Sequence, residues 1–444
     1  MSKPSDEQIW QELIDQDWNL QHLRQRLTHP LTHYPYQPLL LTHEELKNTR
    51  LFDLTDEYLD IQINSHELHF TTKKFYSLIE STHAKLKENL SATNGPVFDY
   101  LQHEFATYET LADKRDYGFY AFYFTRSGEL EALVQFPPVP TWKLALCSSP
   151  GQLLQNQDYT CSWLQARLLF ARSHILVAGA SVASATAENL IRDGRVGSIT
   201  ISDPKSPNAT NFNRTNYDVM DIGSDEPKAI SFARRMHRQD PTQIIYIYRE
   251  SINEHNFANI LAGDQKRPAV NVCVEAIDTL ADKLAILQIA GQAQVPVVQI
   301  SDVGSIAQIS FQNALSRARG ESLIFGLSDQ KLRTLLQQDF VQVAARMVGL
   351  ENAIKDELGR WVAGRKNTPF GIAMPQMGST ASVAAGIASE KILRFLLDCG
   401  RGQEFPYKRI TIDKKNNRFH SYHVPSLQER ALGLVMTIKN RKKH

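Results

Sequence analysis

Gly179 ends the apolar run His174-Ile175-Leu176-Val177-Ala178, and Asp203 ends the β-branched run Ser198-Ile199-Thr200-Ile201-Ser202. A glycine that turns a buried strand into a helix, followed about 20 residues later by a strand-end carboxylate, is the spacing of mononucleotide-binding βαβ units. The turn and the helix N-terminus behind it take a phosphate, and the acid takes a ribose hydroxyl. Here the turn Gly179-Ala180-Ser181-Val182-Ala183-Ser184 keeps only the first glycine of G-x-G-x-x-G. Ser181 sets a side chain where a phosphate would approach the backbone, while the helix N-terminus keeps its N–H groups and its positive dipole end. An α/β core turn without a ligand uses the same residue types, so this stretch leaves both readings open.

These residues need a strand, a helix and a second strand to position them. Small and aliphatic residues recur at helical spacing from Ser181 to Arg192, closed by Gly194. Beyond Asp203 the spacing predicts helices over Lys228–Gln239, near Asn253–Leu261 and over Leu280–Gln294, with strands at Ile244–Tyr248, Val270–Glu275 and Val297–Ile300. Such alternation predicts an α/β fold with a Rossmann-like, mostly parallel sheet and helices on both faces. Ligands of these sheets bind beyond the carboxyl ends of the strands, where Gly179, Asp203 and Asp278 fall. Asp278 also suits an N-cap for the helix that follows it, and His174 reads as a core histidine.

Residues 1–150 read as a separate N-terminal α/β module, with helical segments near Asp6–Asp17 and Lys73–Lys87. Thr125-Arg126-Ser127-Gly128-Glu129 interrupts an aromatic and aliphatic alternation and predicts a hairpin, after which Pro137-Pro138-Val139-Pro140 begins a connector. The larger domain spans 160–425, with a charged helical insertion over 320–372 whose best helix is Lys331–Val348. A small-residue helix starts at Met374, and strands at Arg409–Asp413 and Arg418–His423 flank Lys414-Lys415-Asn416-Asn417 as a hairpin. A C-terminal helix and basic tail, ending Lys439-Asn440-Arg441-Lys442-Lys443-His444, occupy 426–444.

With 444 residues, 42% hydrophobic and 22% charged, the composition is that of a globular protein of two or three domains. A formal net charge of +1 gives no general attraction to nucleic acid or to an anionic membrane. No run approaches the roughly 18 consecutive apolar residues of a membrane span, and the polar start has no signal-peptide pattern, which predicts a cytoplasmic protein. Cys147, Cys161, Cys273 and Cys399 form no C-x-x-C pair, which argues against a disulfide framework and a cysteine-based zinc site.

The loop Asp203-Pro204-Lys205-Ser206-Pro207-Asn208-Ala209-Thr210-Asn211-Phe212-Asn213-Arg214 resembles that of the ThiF/MoeB family, in which a strand-end aspartate is followed by S-N-L-x-R. The family comprises bacterial relatives of ubiquitin-activating enzymes, which adenylate carboxylates. Asp221-Ile222-Gly223-Ser224-Asp225-Glu226-Pro227-Lys228 is similar to its D-I-G-x-x-K helix start, with a longer connection. Glu275-Ala276-Ile277-Asp278-Thr279 is similar to its D-x-x-D-N strand end, and Met374–Glu390 to its small-residue helix ending in A-x-E. The resemblance covers Arg172 to Gly400.

Carried onto these positions, the resemblance implies an ATP site at Gly179, Ser181, Asp203, Asn211, Arg214 and Lys228. Asp203 would bind the ribose, Asn211 and Arg214 the phosphates, and Lys228 would sit beside the α-phosphate. Asp278 would lie near a magnesium ion or the reacting carboxylate; Arg214, Lys228 and Asp278 are the implied catalytic set. Cations suit this chemistry because adenylation brings a carboxylate up to a polyphosphate. The substrate would be the C-terminus of a ubiquitin-like protein, a peptide or a small-molecule acid, and the resemblance also implies a homodimer. The family's zinc cysteines are missing, so no zinc is expected. No cysteine lies between Cys273 and Cys399, so no thioester step is expected at the usual place. A catalytically silent scaffold of the same fold and an NAD(P)-dependent oxidoreductase are the rival readings.

Overall fold

The computed structural model describes residues 119–136, 163–312, 376–398 and 408–423, apart from single positions, with shorter pieces between 5 and 42, 58 and 71, and 330 and 334. The segments Lys73–Lys87 and Pro137–Pro140, most of Asp6–Asp17 and of 320–372, Met374, Cys147, Cys161, Cys399 and the basic tail lie outside the described residues. The chain divides into two units. One comprises Met1–Ala171, Arg192–Arg195 and Ala233–Ile244, the other Arg172–Ile191, Val196–Phe232 and Ile245–His444.

In the first unit, helix α1 (Leu20–Leu27) precedes strand β1 (Leu39–Thr42), and β2 (Tyr58–Ile63) pairs with β3 (His66–Thr71) as a separate antiparallel ribbon. Strands β4 (Phe119–Phe124) and β5 (Leu130–Phe136) form the hairpin that the Thr125–Glu129 turn predicts, and β1 joins its edge in the order β1-β4-β5. Helix α2 (Trp163–Ala171) follows. Leu40, Phe119, Ala121 and Tyr123 form a small core. Burial here is completed by polar pairs. Tyr34 OH lies 2.9 Å from His237 Nδ1, and His237 Nε2 lies 2.8 Å from the Gln243 carbonyl. Nε2 must therefore donate, Nδ1 accept, and the ring stay neutral, which agrees with burial lowering its pKa.

The second unit is built on an eight-stranded sheet in the order β13-β12-β11-β10-β9-β6-β7-β8. Strand β6 (His174–Ala178) pairs in parallel with β7 (Ser198–Ser202) on one side and with β9 (Val272–Glu275) on the other; β8 (Ile244–Tyr248) lies beyond β7. Strand β10 (Val297–Val303) is parallel to β9. Strands β6, β7 and β9 are buried along their whole length and β8 up to Tyr248, as parallel strands covered by helices must be. The chain leaves β6 toward β7 and later returns to its other side as β9, so the carboxyl end of β6 is a topological switch point.

In the antiparallel half the sequence predicted the terminal hairpin but neither the strand before it nor its place in the main sheet. Strand β11 (Ile306–Gln312) pairs with β10, and β12 (Lys408–Asp413) and β13 (Arg418–His423) extend the same sheet. The expected hairpin is therefore an extension of the main sheet. Ile-Ala-Gln-Ile-Ser-Phe-Gln looks like a half-exposed strand, but Gln308, Ser310 and Gln312 are buried.

Helix α3 (Val182–Asn189) runs into a π-helical turn, Leu190–Gly194, so the regular helix is shorter than its sequence pattern. The short α4 (Val219–Ile222), then α5 (Lys228–Gln239), α6 (Phe257–Ala262), α7 (Leu280–Gln292) and α8 (Gly378–Asp398) complete the elements used below. His174 is fully buried, with Nδ1 2.7 Å from Ser198 Oγ and Nε2 3.0 Å from Thr200 Oγ1, a core role. Cys273 is buried in the β6–α7 core. Among the described residues no helix is long and apolar enough to cross a membrane.

Glu275, at the end of β9, is fully buried and paired with Lys283 Nζ of α7 at 2.8 Å. Gln299 Nε2 and the Ile277 N–H also donate to it, at 2.7 and 2.6 Å, so the carboxylate is compensated on every side. Lys283→Ala leaves that charge buried and is expected to cost about 3–5 kcal/mol, read as a lower midpoint in urea. An unchanged midpoint would show that the pair carries no weight.

Candidate functional site

The glycine turn packs against the strand end beside it. Gly179 has φ +95°, and a Cβ there would stand 2.8 Å from the Ala276 carbonyl oxygen. Only glycine meets both conditions. Its N–H donates to the Ser202 carbonyl at 2.8 Å, which joins the ends of β6 and β7.

Asp203 then organises the loop. Oδ2 accepts the Ala180 N–H at 3.0 Å and lies 4.0 Å from Lys228 Nζ, while Oδ1 accepts the Lys205 N–H at 3.0 Å. The first residue of α5 is thereby drawn toward the turn, and its own N–H donates to the Lys205 carbonyl at 2.9 Å. Tyr217 OH closes the arrangement by donating to the Ala180 carbonyl at 2.5 Å.

Asn211 is buried, and its Oδ1 accepts the Asn208 N–H at 3.0 Å in a reciprocal cap, so what it can offer a ligand is its Nδ2. Arg214 Nε donates to Ser181 Oγ at 3.1 Å, and Nη1 donates to the Thr210 carbonyl at 2.5 Å and to Asn213 Oδ1 at 3.2 Å. Ser181, at a position where the fingerprint has glycine, thus holds the guanidinium at the N-terminus of α3. Its side chain makes no cap bond of its own to that helix.

Asp278 lies just past β9 and is largely exposed, with Oδ2 3.3 Å from Lys205 Nζ. Burial holds Lys228 below its ordinary pKa, and Asp203 opposes that effect. Burial also lowers Arg214, against the pull of Asp302 and Asp278. The cations Lys205, Arg214 and Lys228 and the carboxylates Asp203, Asp278 and Asp302 therefore share one electrostatic neighbourhood at the strand ends.

All the residues expected from the sequence occur in this neighbourhood. Sequence reasoning missed Lys205, Asp302 and Gln376. Asp302 sits near the carboxyl end of β10, past the expected strand end at Ile300. The strand-end placement that marked Asp203 and Asp278 was the available signal. Gln376 Nε2 donates to Asp302 Oδ1 at 2.9 Å, and its carbonyl accepts Asn213 Nδ2 at 2.7 Å. Helix α8 starts flush against the loop, because a Cβ on Gly378 would stand 2.2 Å from the Asn213 carbonyl oxygen. Lys414, in the turn after β12, donates to Ser379 and Thr380, and Thr380 Oγ1 donates to the Gly304 carbonyl at 2.8 Å. No group of His, Cys, Asp and Glu among the described residues is arranged to hold a metal ion by itself.

Residues 161–432 match the ThiF family. The chain is a member of the ThiF family. Among solved structures, this ThiF-family chain is similar to PaaA, at 12% identity over 74% of this chain and 95% of that one, with a TM-score of 0.47. It is also similar to E. coli MccB crystallised with ATP, at 14% identity over 62% and 71% of the two chains and a TM-score of 0.44. A third is E. coli tRNA N6-threonylcarbamoyladenosine dehydratase, TcdA, at 19% identity over 60% and 99% and a TM-score of 0.40. No curated protein matches the sequence.

Burial pushes the Asp302 carboxyl up to about 7 from 3.8, with Arg214 and Gln376 opposing. A carboxyl raised on folding adds stability that is complete below its unfolded value and lost as pH rises through its folded one. The folded protein is thus expected to lose stability between pH 3.8 and about 7 on account of this group, and Asp302→Asn to remove that part of the loss. Thermal melts of both proteins across that range check it; parallel curves would refute the assignment.

Proposed function

We propose that this chain uses ATP to adenylate a carboxylate, without a thioester step, at the carboxyl ends of β6, β7 and β9. The observation that supports this most is the grouping of three cations at a switch point of a ThiF-family sheet: Arg214 on Ser181 at the N-terminus of α3, Lys228 beside Asp203 and Lys205 beside Asp278. Cations partly removed from water and a helix N-terminus together suit a polyphosphate.

In the reaction a substrate carboxylate oxygen bonds to the α-phosphorus, the bond to the bridging oxygen breaks, and pyrophosphate leaves with the electron pair. Arg214 and Lys228 neutralise charge that develops on the α-phosphoryl oxygens, and they are already oriented by Ser181 and Asp203. Asp203 accepts from a ribose hydroxyl with its remaining lone pairs, and Asn211 supplies an amide donor to the phosphates. The exposed carboxylate of Asp278 suits a magnesium ion held jointly by one protein ligand and the phosphates. Bound there, the ion would neutralise the leaving pyrophosphate. No side chain has to act as a nucleophile, and Cys273, whose thiol burial pushes far above its ordinary range, is unsuited to that role.

The substrate in this reading is a ubiquitin-like C-terminus, a peptide or a small acid. Residues 1–150 would serve as a substrate clamp or an interaction domain, and the protein would be a cytoplasmic homodimer. Calorimetry with ATP and magnesium tests the reading, followed by ATP–pyrophosphate exchange with candidate carboxylates. Arg214→Ala is expected to weaken ATP by roughly tenfold to a hundredfold, the worth of a charge-assisted hydrogen bond. Asp278→Ala is expected to abolish stimulated exchange. A folded wild-type protein that binds no ATP would overturn the proposal in favour of a silent scaffold, and tight NAD binding would favour an oxidoreductase.

A further inference from the structure

Asp302 has no part in the reaction written above, yet its surroundings are unusual for a buried acid. Its side chain is 2% exposed, Oδ1 accepts from Gln376, and Oδ2 has no hydrogen-bond partner among the described residues. A buried carboxylate oxygen without a donor is costly when charged.

Among the described residues, few charges act on it. Arg214, on the loop after β7, favours its ionised form by charge, and Asp278, in the turn after β9, opposes it. On β9 itself Glu275 is paired with Lys283. Opposite it on β11 stands Ala307, in a strand with no charged residue, and α8 carries none before Glu390. Glu188 of α3 accepts from Asn216 at 2.7 Å. Asp302 is also joined to Arg214 through hydrogen bonds, from its Oδ1 to Gln376, on to Asn213, and from Asn213 Oδ1 to Arg214 Nη1.

We propose that Asp302 is a positioning residue linked to Arg214 through Gln376 and Asn213, ionised while the strand-end site is empty and gaining a proton when a phosphate-bearing ligand takes up the charge of Arg214. The inference rests on the anion site of the proposed function, but it concerns a different group. A phosphate beside Arg214 takes over the charge that favours ionised Asp302 and adds negative charge near a carboxylate whose Oδ2 has no partner among the described residues. Protonation from solvent relieves both, so up to one proton enters for each polyphosphate bound at pH values between the titration of Asp302 in the free protein and in the complex.

The sign follows from linkage. In the free protein Asp302 titrates near 7, because burial raises it and Arg214 lowers it. Loss of Arg214's influence moves it higher. Below that range the carboxyl is protonated in both states and binding exchanges no proton. As pH rises through 7, affinity falls by at most about tenfold per unit.

The experiment is titration of wild type and Asp302→Asn with ATP, and separately with inorganic pyrophosphate, from about pH 6 to about pH 8.5, where phosphate groups with a second pKa near 6 complete their own ionisation equally for both proteins. Wild type is expected to lose several-fold more affinity than Asp302→Asn across that range. Asp302→Asn is expected to bind more tightly than wild type at the alkaline end. Calorimetry in buffers of different ionisation enthalpy at about pH 8 should show proton uptake by wild type that is absent or smaller in the variant. Should Asp302→Asn fail to fold, Gln376→Leu removes the donor to Oδ1 and is expected to move the wild-type pH dependence to higher pH. Parallel pH profiles or no proton uptake would overturn the inference while leaving the ATP reading standing. Pyrophosphate binding with the expected linkage but no ATP binding would overturn the ATP reading alone. Failure to bind either anion would sink both.

Discussion

Asp203 is the point on which the strand-end region depends. Its two carboxylate oxygens hold the N–H of Ala180 in the glycine turn and the N–H of Lys205 in the polar loop, and they draw Lys228 to the same place. The backbone of β6, the loop after β7 and the start of α5 are thereby fixed to a single group. A carboxylate that accepts backbone N–H groups and faces an ammonium is well suited to holding such a junction, because each donor is strengthened by the charge.

With the junction fixed, Lys205 pairs with Asp278, while Arg214 and Asp302 are held by uncharged partners. Ser181 and Thr210 hold Arg214, and Gln376 holds Asp302 while reaching Asn213 through its own carbonyl. Gly378 allows α8 to meet the Asn213 backbone at a distance no other residue type permits. Cations kept from water by such a frame keep more of their attraction for an incoming anion than they would on an open surface.

Much of this half of the chain was legible in advance. Buried parallel strands read as continuous apolar runs, and the helices between them as periodic ones, so β6, β7, β8 and β9 and the helices α5 and α7 were expected within a residue or two of where they lie. The strand-end aspartates and the loop cations were legible for the same reason, since a parallel sheet presents its strand ends to ligands. Asp302 was not, because the strand that carries it extends beyond the apolar run that announced it. Strand β11 was hidden by glutamines and a serine that look solvent-facing but are buried, Gln312 by donating to Gln299 at 3.2 Å.

By itself the sequence determined the family, the parallel core and the candidates Gly179, Asp203, Asn211, Arg214, Lys228 and Asp278, because these depend on spacing along the chain. Only the tertiary structure decided that Ser181 supports Arg214 in place of a missing glycine, that the C-terminal hairpin completes the main sheet, and that Asp302 and Gln376 stand behind the loop. Each of these contacts joins residues far apart in the chain. A side chain's partner across such a distance is set by how strands pair and helices pack, which no local pattern encodes.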